Sequence, residues 1–480
     1  MQRSVSPLLF LVTILSLLPA LYAQDASPKL RVLHTFPCNA SFVCKDGWFP
    51  TFLTEAGDGS FYGIAAEGGS TPDSQGTVFK FTPAGEFSVI YSFDERPDGS
   101  LPSGASPGII VEGTDGFLYG TTLVDGAFGL GTVFKLTKNG FTSDLHDFCN
   151  TPLCTDGAYP GFLMQGIDEK FYGSTGPAGF PTDILFSITS KGEFKVLHTF
   201  DSPKQPDGGG TFGFFPGPDG NFYGTTIAGA QSDPFNTVFR FNPANNAYKI
   251  LYGFNGFTGF NNAPIAQSNI VQATTGELFG LQTNSVLYEV STKGAHKEIG
   301  ALTSTQYLDG IVLQASDGNL WGTFLGGDCG DQGQVFATKT DGTVLHNIVF
   351  DCHTDGQQVA NILQAADGKL YGVTLGIGGV STTDPTSNGT IWVIDAGLPK
   401  PAPVLVNFAP LTGAAGSRIL LQGSHFVGTT AVHINGKEAC FKLLTANFIR
   451  VNVPPDATTG KITITNAGGT TTSAKSFTVE

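Results

Sequence analysis

GIIVEGTDGFLYGTTLVDGAFGLGTVFKLTKNGFTSDLHDF, residues 108–148, decides the fold. Alternation and turn signals divide it into four short strands, at 108–113, 117–122, 132–137 and 144–148. Asp115-Gly116 and Asn139-Gly140 punctuate the first and third connections and supply the positive φ that tight hairpin turns demand. The middle connection is longer and rich in glycine. One such sheet cannot bury both of its faces, so the unit must stack on copies of itself.

Copies are present. The aromatic residue before the key glycine recurs at 62, 119, 172, 223, 279, 321 and 371, which makes seven units. The fifth is degraded, with a very short middle connection between LFG (278–280) and VLYEV (286–290). The chain opens with RVLHTF (31–36), a fourth-type strand lacking the three that should precede it. The seventh unit stops after TIWVI (390–394), lacking its fourth strand. A ring closed by that first strand leaves no free sheet edge. The expected fold is all-β, a seven-bladed β-propeller closed by an N-terminal strand. An open solenoid explains the repeats but not the complementary missing strand.

LYGTT (118–122) followed by GTVFKL (131–136), and FYG with GTVFKF in unit one, resemble the GloVer tandem repeat of secreted bacterial proteins. The resemblance covers roughly residues 30–397, implies a repeat architecture in an exported protein and transfers no catalytic residues. The Pro-rich stretch 398–402 reads as a semi-rigid linker. Beyond it, GSHF (423–426), VHING (432–436), VPP (453–455) and TGKITITN (459–466) resemble an IPT/TIG domain, which implies a small immunoglobulin-like sandwich over 403–480. The resemblance implies a spacer, carbohydrate-associated or interaction role for it.

Composition bounds the partners. The formal net charge is −15 over 480 residues, and no basic cluster offsets it, so the surface repels nucleic acid and anionic membranes. Residues 1–23, with Arg3 and the apolar run 8–18, read as a signal peptide, leaving no membrane-spanning segment after its removal and a secreted or cell-surface protein. The cysteines agree: Cys38 with Cys44, Cys149 with Cys154, and Cys329 with Cys352 are candidate disulfides of an oxidising compartment. Cys440 is left over and expected to be a small buried hydrophobe.

Strand alternation puts the tight first and third turns on one face of the ring and the long, irregular loops on the other. Binding residues concentrate on variable loops carried by a rigid scaffold, so the long-loop face is the candidate site. An Asp-Gly before the first strand recurs there, giving Asp46, Asp98, Asp156, Asp207, Asp309 and Asp355. These carboxylates would either form part of an oxygen-rich rim for Ca²⁺ or accept hydrogen bonds from their own turns. Trp48 and His353 lie in the same loops; His34, His146, His198 and His346 recur within strands and read as structural. No P-loop, HExxH, GxSxG or EF-hand pattern is present. The expected function is a non-enzymatic extracellular binding protein for a glycan or protein, needing no cofactor. The alternative is a polysaccharide hydrolase or lyase with paired carboxylates at the channel mouth.

Overall fold

A computed structural model describes residues 27–41, 43–94, 105–176, 183–200, 209–227, 236–254, 269–282, 285–302, 310–325, 333–376 and 388–480. These residues are all-β apart from one 3₁₀ turn, Pro152–Cys154. Among them, no helix is long and apolar enough to cross a membrane.

From Lys29 to Asp395 the strands group into seven four-stranded antiparallel sheets. Sheet 1 contains Trp48–Glu55, Phe61–Glu67, Thr77–Phe81 and Phe87–Ser92 in that order. Sheet 2 contains Ala105–Glu112, Leu118–Val124, Thr132–Leu136 and Thr142–Asp147. Sheets 3 to 6 repeat the same order. Sheet 5 is the reduced one, its first strand only Val271–Gln272. Sheet 7 has three consecutive strands, Val359–Gln364, Leu370–Thr374 and Thr390–Asp395, and takes its fourth from the start of the chain. Lys29–Thr35 pairs antiparallel with Thr390–Asp395, from Lys29 opposite Asp395 to Thr35 opposite Thr390. The complementary missing strand is therefore supplied as expected.

The repeat signature is a packing recipe. The glycine of each aromatic-Gly pair lies under the ring of the third strand: a Cβ on Gly120 would overlap the Phe134 ring and the carbonyl of Ile109. The aromatic itself reaches back to the turn aspartate four residues earlier, Tyr119 Oη donating to Asp115 Oδ2 at 2.6 Å and Tyr371 to Asp367 at 2.8 Å. Burial opposes ionisation of Asp115, but hydrogen bonds from Tyr119 and Lys135 outweigh it and hold the carboxyl below its ordinary value. The second Thr of YGTT meets the Thr of GTVF as a buried hydroxyl pair, Thr122 with Thr132 at 3.0 Å and Thr374 with Thr390 at 2.9 Å.

Each sheet buries its large side chains against the next. Tyr62, Ile64 and Phe93 of sheet 1 pack on Ile110, Leu118 and Phe134 of sheet 2. The succession runs through every neighbouring pair and returns to its start: Tyr371, Val373 and Ile391 of sheet 7, with Phe36, pack on Leu53, Phe61 and Phe79 of sheet 1.

The C-terminal segment is a sandwich of a four-stranded and a five-stranded sheet around Ile419, Leu421, Phe426, Val432, Ile462, Ile464 and Phe477. Cys440 corrects the expectation of a buried thiol: it is free and exposed. It stands just before the strand Phe441–Thr445, and its neighbour Ala439 takes the inward slot.

Candidate functional site

On the long-loop face the described Asp-Gly residues are turned into the protein's own framework. Asp46 Oδ2 lies 3.0 Å from His34 Nε2 on the closing strand, and Asp156 Oδ2 lies 3.1 Å from His146 Nε2 on the outer strand of sheet 2. Asp156 is 4% exposed and also accepts from Thr151 Oγ1 at 2.6 Å and from the Asn150 N–H at 3.2 Å. Burial pulls His146 below its ordinary pKa although Asp156 opposes it. Asp355 Oδ2 accepts from the Asp351 N–H at 3.0 Å. The backbone carbonyls of Asp46 and Asp355 accept from the third-strand threonines Thr77 and Thr390. The glycine that follows is needed because Gly157, at φ 84°, brings its backbone against Thr175 and Ile184, where a Cβ would not fit.

Asp98, Asp207 and Asp309 lie outside the described residues. Trp48 opens the first strand of sheet 1, half-buried, in edge contact with Phe49. His353 is exposed, its N–H donating to Asp351 Oδ1 at 2.8 Å. Cys38–Cys44 and Cys149–Cys154 are disulfides that staple two of these loops. Cys352 is disulfide-bonded as well, and its candidate partner Cys329 lies outside the described residues. Among the described residues no group of three His, Cys, Asp or Glu could hold a metal ion. Three of the four recurrent histidines stack across sheet boundaries, His34 on Phe87 and His146 on Phe194 at 3.8 Å between ring centroids and His198 on Tyr248 at 4.2 Å, whereas His346 lies against Trp321 of its own sheet.

Around the second stapled loop two apolar side chains point to solvent. Leu153 is 84% exposed and Phe128, on the adjoining loop, is 52% exposed. The two loops are tied to one framework by Ala127 N–H to Asp147 Oδ1 at 2.7 Å and Tyr159 N–H to Leu130 O at 2.9 Å.

The opposite face is built differently, and sequence reasoning missed it. The first strands of the seven sheets end in Glu55, Glu112, Gln165, Pro216, Gln272, Gln314 and Gln364. Each of these residues precedes its unit's aromatic by a constant seven positions, a signal available in the sequence. The side-chain oxygens accept a backbone N–H from the tight turn of the preceding sheet. Gly57 donates to Glu112, Thr114 to Gln165, Thr274 to Gln314, Ser316 to Gln364, and Ala366 of sheet 7 to Glu55 of sheet 1. The glutamine amides also donate to their own turn, as Gln364 Nε2 does to Gly368 O at 3.1 Å. The pattern breaks on both sides of sheet 4, where Pro216 replaces the acceptor and Pro218 replaces the donor.

Glutamate cannot donate unless protonated. Glu112 solves this with Lys138 Nζ at 2.6 Å. Among the described residues no cation pairs with Glu55, and burial, with help from Asp367 and against the Ala366 N–H, pushes its pKa up to about 7. A pKa raised by folding contributes stability that is complete below the unfolded value near 4.5 and is lost as pH rises through 7. Glu55→Gln is therefore expected to flatten the fall in stability between pH 5 and 8, gaining about 2 kcal/mol over the native chain at pH 8. Parallel urea melts across that range check it.

The C-terminal sandwich and its linker sit on this turn face. Gln422 Nε2 donates to Gln165 O at 3.1 Å, Arg450 lies 3.5 Å from Glu169, and Ser316 Oγ donates to Pro399 O at 2.6 Å. Between the sandwich and the ends of the first strands lies a cavity of about 930 Å³.

Comparison with known proteins now fixes the two parts. The Gloeobacter/Verrucomicrobia repeat model matches residues 23–212, and the IPT/TIG domain model matches residues 403–479. The chain carries Gloeobacter/Verrucomicrobia repeats and a C-terminal IPT/TIG domain. The repeat model stops within the first strand of sheet 4, and the structure continues the same four-stranded unit through sheet 7. No curated protein matches the chain. Among solved structures it is similar to a fungal alcohol oxidase of the AA5 family in complex with copper, at 12% identity and TM-score 0.50, covering 94% of this chain and 98% of that one. It is also similar to the extracellular domain of a one-component system from B. thetaiotaomicron, at 11% identity and TM-score 0.46, covering 91% of this chain and 57% of that one. At such identities the oxidase likeness is one of fold alone. The IPT/TIG domain marks the chain as one that carries an interaction module, and its disulfides fit an oxidising, extracellular setting.

Proposed function

We propose that the chain is an exported, non-enzymatic binding protein whose seven sheets are the blades of a propeller, with the long-loop face receiving an extracellular glycan or protein. The observation that carries this reading is the asymmetry of the two faces. The turn face is covered by the IPT/TIG domain and its linker, through Gln422, Arg450 and Pro399. The long-loop face carries the disulfide-stapled loops and the outward Leu153 and Phe128. Rigid loops that present apolar side chains at a fixed position lose little entropy on binding. The IPT/TIG domain then acts as a spacer or adhesion module at the rear.

The hydrolase or lyase alternative requires two carboxylates converging over a substrate. Asp46 and Asp156 face histidines instead, which weighs against their use in that role. The test is binding and product release on a panel of cell-wall and plant polysaccharides, with and without Ca²⁺. Binding without product is expected. Product release overturns the reading, and a requirement for Ca²⁺ would assign the Asp-Gly carboxylates to a cation. Failure to retain any polysaccharide would make a protein the ligand.

A further inference from the structure

Each four-stranded sheet of the ring leaves the far edge of its outer strand unpaired, and such an edge invites another chain unless it is blunted. Charge blunts five of the seven. Asp144, Lys195, Lys249, Lys297 and Arg31 stand on the outer strands of sheets 2, 3, 4, 5 and 7. A bulge breaks six of the seven at one common rung, opposite Val78–Phe79 in sheet 1 and opposite the equivalent pair in sheets 2 to 5 and 7. A bulge there bends the strand in mid-course.

Sheet 6 has neither protection. Its outer strand, Val344–Val349, carries no charged residue. Its bulge, at Leu345, lies two rungs nearer the turn, opposite Ala337–Thr338, and leaves His346 to Val349 as an unbroken run. The displacement also accounts for His346. Ile348 takes the slot opposite Val335 that His146 takes opposite Val133, and His346 is left against Trp321 of its own sheet. Of the nine exposed large apolar side chains among the described residues, three are on this one strand, Val344 at 44%, Leu345 at 37% and Val349 at 46%. The outer strand of sheet 1, Phe87–Ser92, is also uncharged, but it keeps its mid-strand bulge and exposes none of the nine.

The strand is complementary to itself. With Leu345 bulged out, Val344, Asn347 and Val349 share one face and are exposed, while His346 and Ile348 share the other and are half-buried. Antiparallel pairing of two copies about a two-fold axis keeps every side chain on its own face, so the axis must pass through a residue. Placed at Asn347, it sets Asn347 of one copy opposite Asn347 of the other, Val344 opposite Val349, and His346 opposite Ile348. Apolar then meets apolar on the exposed face, and no like charges meet within the strand.

We propose that two copies of this chain associate through Val344–Val349, joining their sixth sheets into one eight-stranded antiparallel sheet. Six residues a side cover less than the ~1,200 Å² of a stable interface, so the dimer is a weak one, with Kd on the order of 10–100 µM. Asp341 and Asp351, both exposed, flank the strand, and pairing brings the first of one copy towards the second of the other, a repulsion that salt screens. The strands run from one face of the ring to the other, so antiparallel pairing points the two long-loop faces in opposite directions. The dimer can therefore bridge two ligands. The pairing itself stands on the outer strand alone and is independent of what the loop face binds.

Sedimentation velocity of the mature chain from about 1 to 200 µM, in about 0.3 M NaCl, is the test. A monomer–dimer equilibrium is expected. Asn347→Lys places two ammonium groups on the axis and should weaken the dimer at least about tenfold, with the thermal midpoint unchanged because the side chain is exposed. Ser88→Lys, on the exposed face of the sheet 1 strand, should leave the dimer as it is. In a Cys440→Ser background, Asn347→Cys should form a disulfide with its own copy on mild oxidation, and Ser88→Cys should not. A chain that stays monomeric throughout, oligomers that grow beyond the dimer, a dimer indifferent to Asn347→Lys, or failure of Asn347→Cys to cross-link would each overturn the proposal. Phe128→Ser/Leu153→Ser should dimerise as the native chain does, so this edge and the loop-face reading fail independently.

Discussion

Phe36→Ala is expected to lower the unfolding free energy by about 4 kcal/mol, within the range for emptying a fully buried phenylalanine site. Phe36 is 0% exposed and lies at the end of the closing strand, where its ring packs edge-on against Phe79 and Phe87 of sheet 1. Its N–H donates to Gly389 O, and its carbonyl accepts from Asn388 Nδ2 at 3.1 Å. The side chain therefore holds the last sheet to the first. The loss should also have a location. Hydrogen exchange should rise first at Lys29–Thr35, since a loosened closing strand opens locally before the rest unfolds. A loss below about 1.5 kcal/mol, with exchange at those amides unchanged, would show that the strand is held by other means.

Gly120→Ala is the second large effect, with an expected loss of about 3 kcal/mol. The added methyl would meet the Ile109 carbonyl on one side and the Phe134 ring on the other. The ring could rotate only into the buried cluster shared with sheet 1, and the carbonyl belongs to the pairing of the first two strands. Gly161→Ala is the matched control, because a Cβ there meets nothing within 4 Å. It should change stability by less than about 0.5 kcal/mol. Urea unfolding of the two variants side by side decides the matter, and similar costs would remove the close-approach explanation of the aromatic-Gly motif.

Much of the architecture was legible because each repeat states it locally. Tyr-Gly and Gly-Thr-Val-Phe mark strands whose contacts lie within one unit, and the orphan RVLHTF announces its own partner. Cys38 with Cys44 and Cys149 with Cys154 were readable from spacing. The recurrence of His34, His146 and His198 in equivalent strands was also readable, but not that each would stack on a ring of the next sheet while His346 lies against Trp321 of its own sheet. Other features were not readable. That Asp46 and Asp156 would meet those histidines depends on how a loop folds back from an outer strand to the next inner one, which no pattern of period two encodes. The Glx series went unnoticed although its spacing is constant, because Glu55, Glu112 and the glutamines differ in charge while sharing one acceptor geometry. The docking of the IPT/TIG domain on the turn face rests on Gln422 and Arg450, which look like ordinary surface residues until Gln165 and Glu169 are placed opposite them.

The most direct test of the binding-face assignment is an affinity comparison on whichever polysaccharide of the panel the native chain retains, or on the protein it captures if none is retained. It sets the native chain beside Phe128→Ser/Leu153→Ser on the loop face and Gln422→Ala/Arg450→Ala on the turn face. The account predicts at least about a tenfold loss for the loop-face pair and an unchanged affinity for the turn-face pair. An affinity that falls with Gln422 and Arg450 and is indifferent to Phe128 and Leu153 would contradict it and place recognition at the covered face instead.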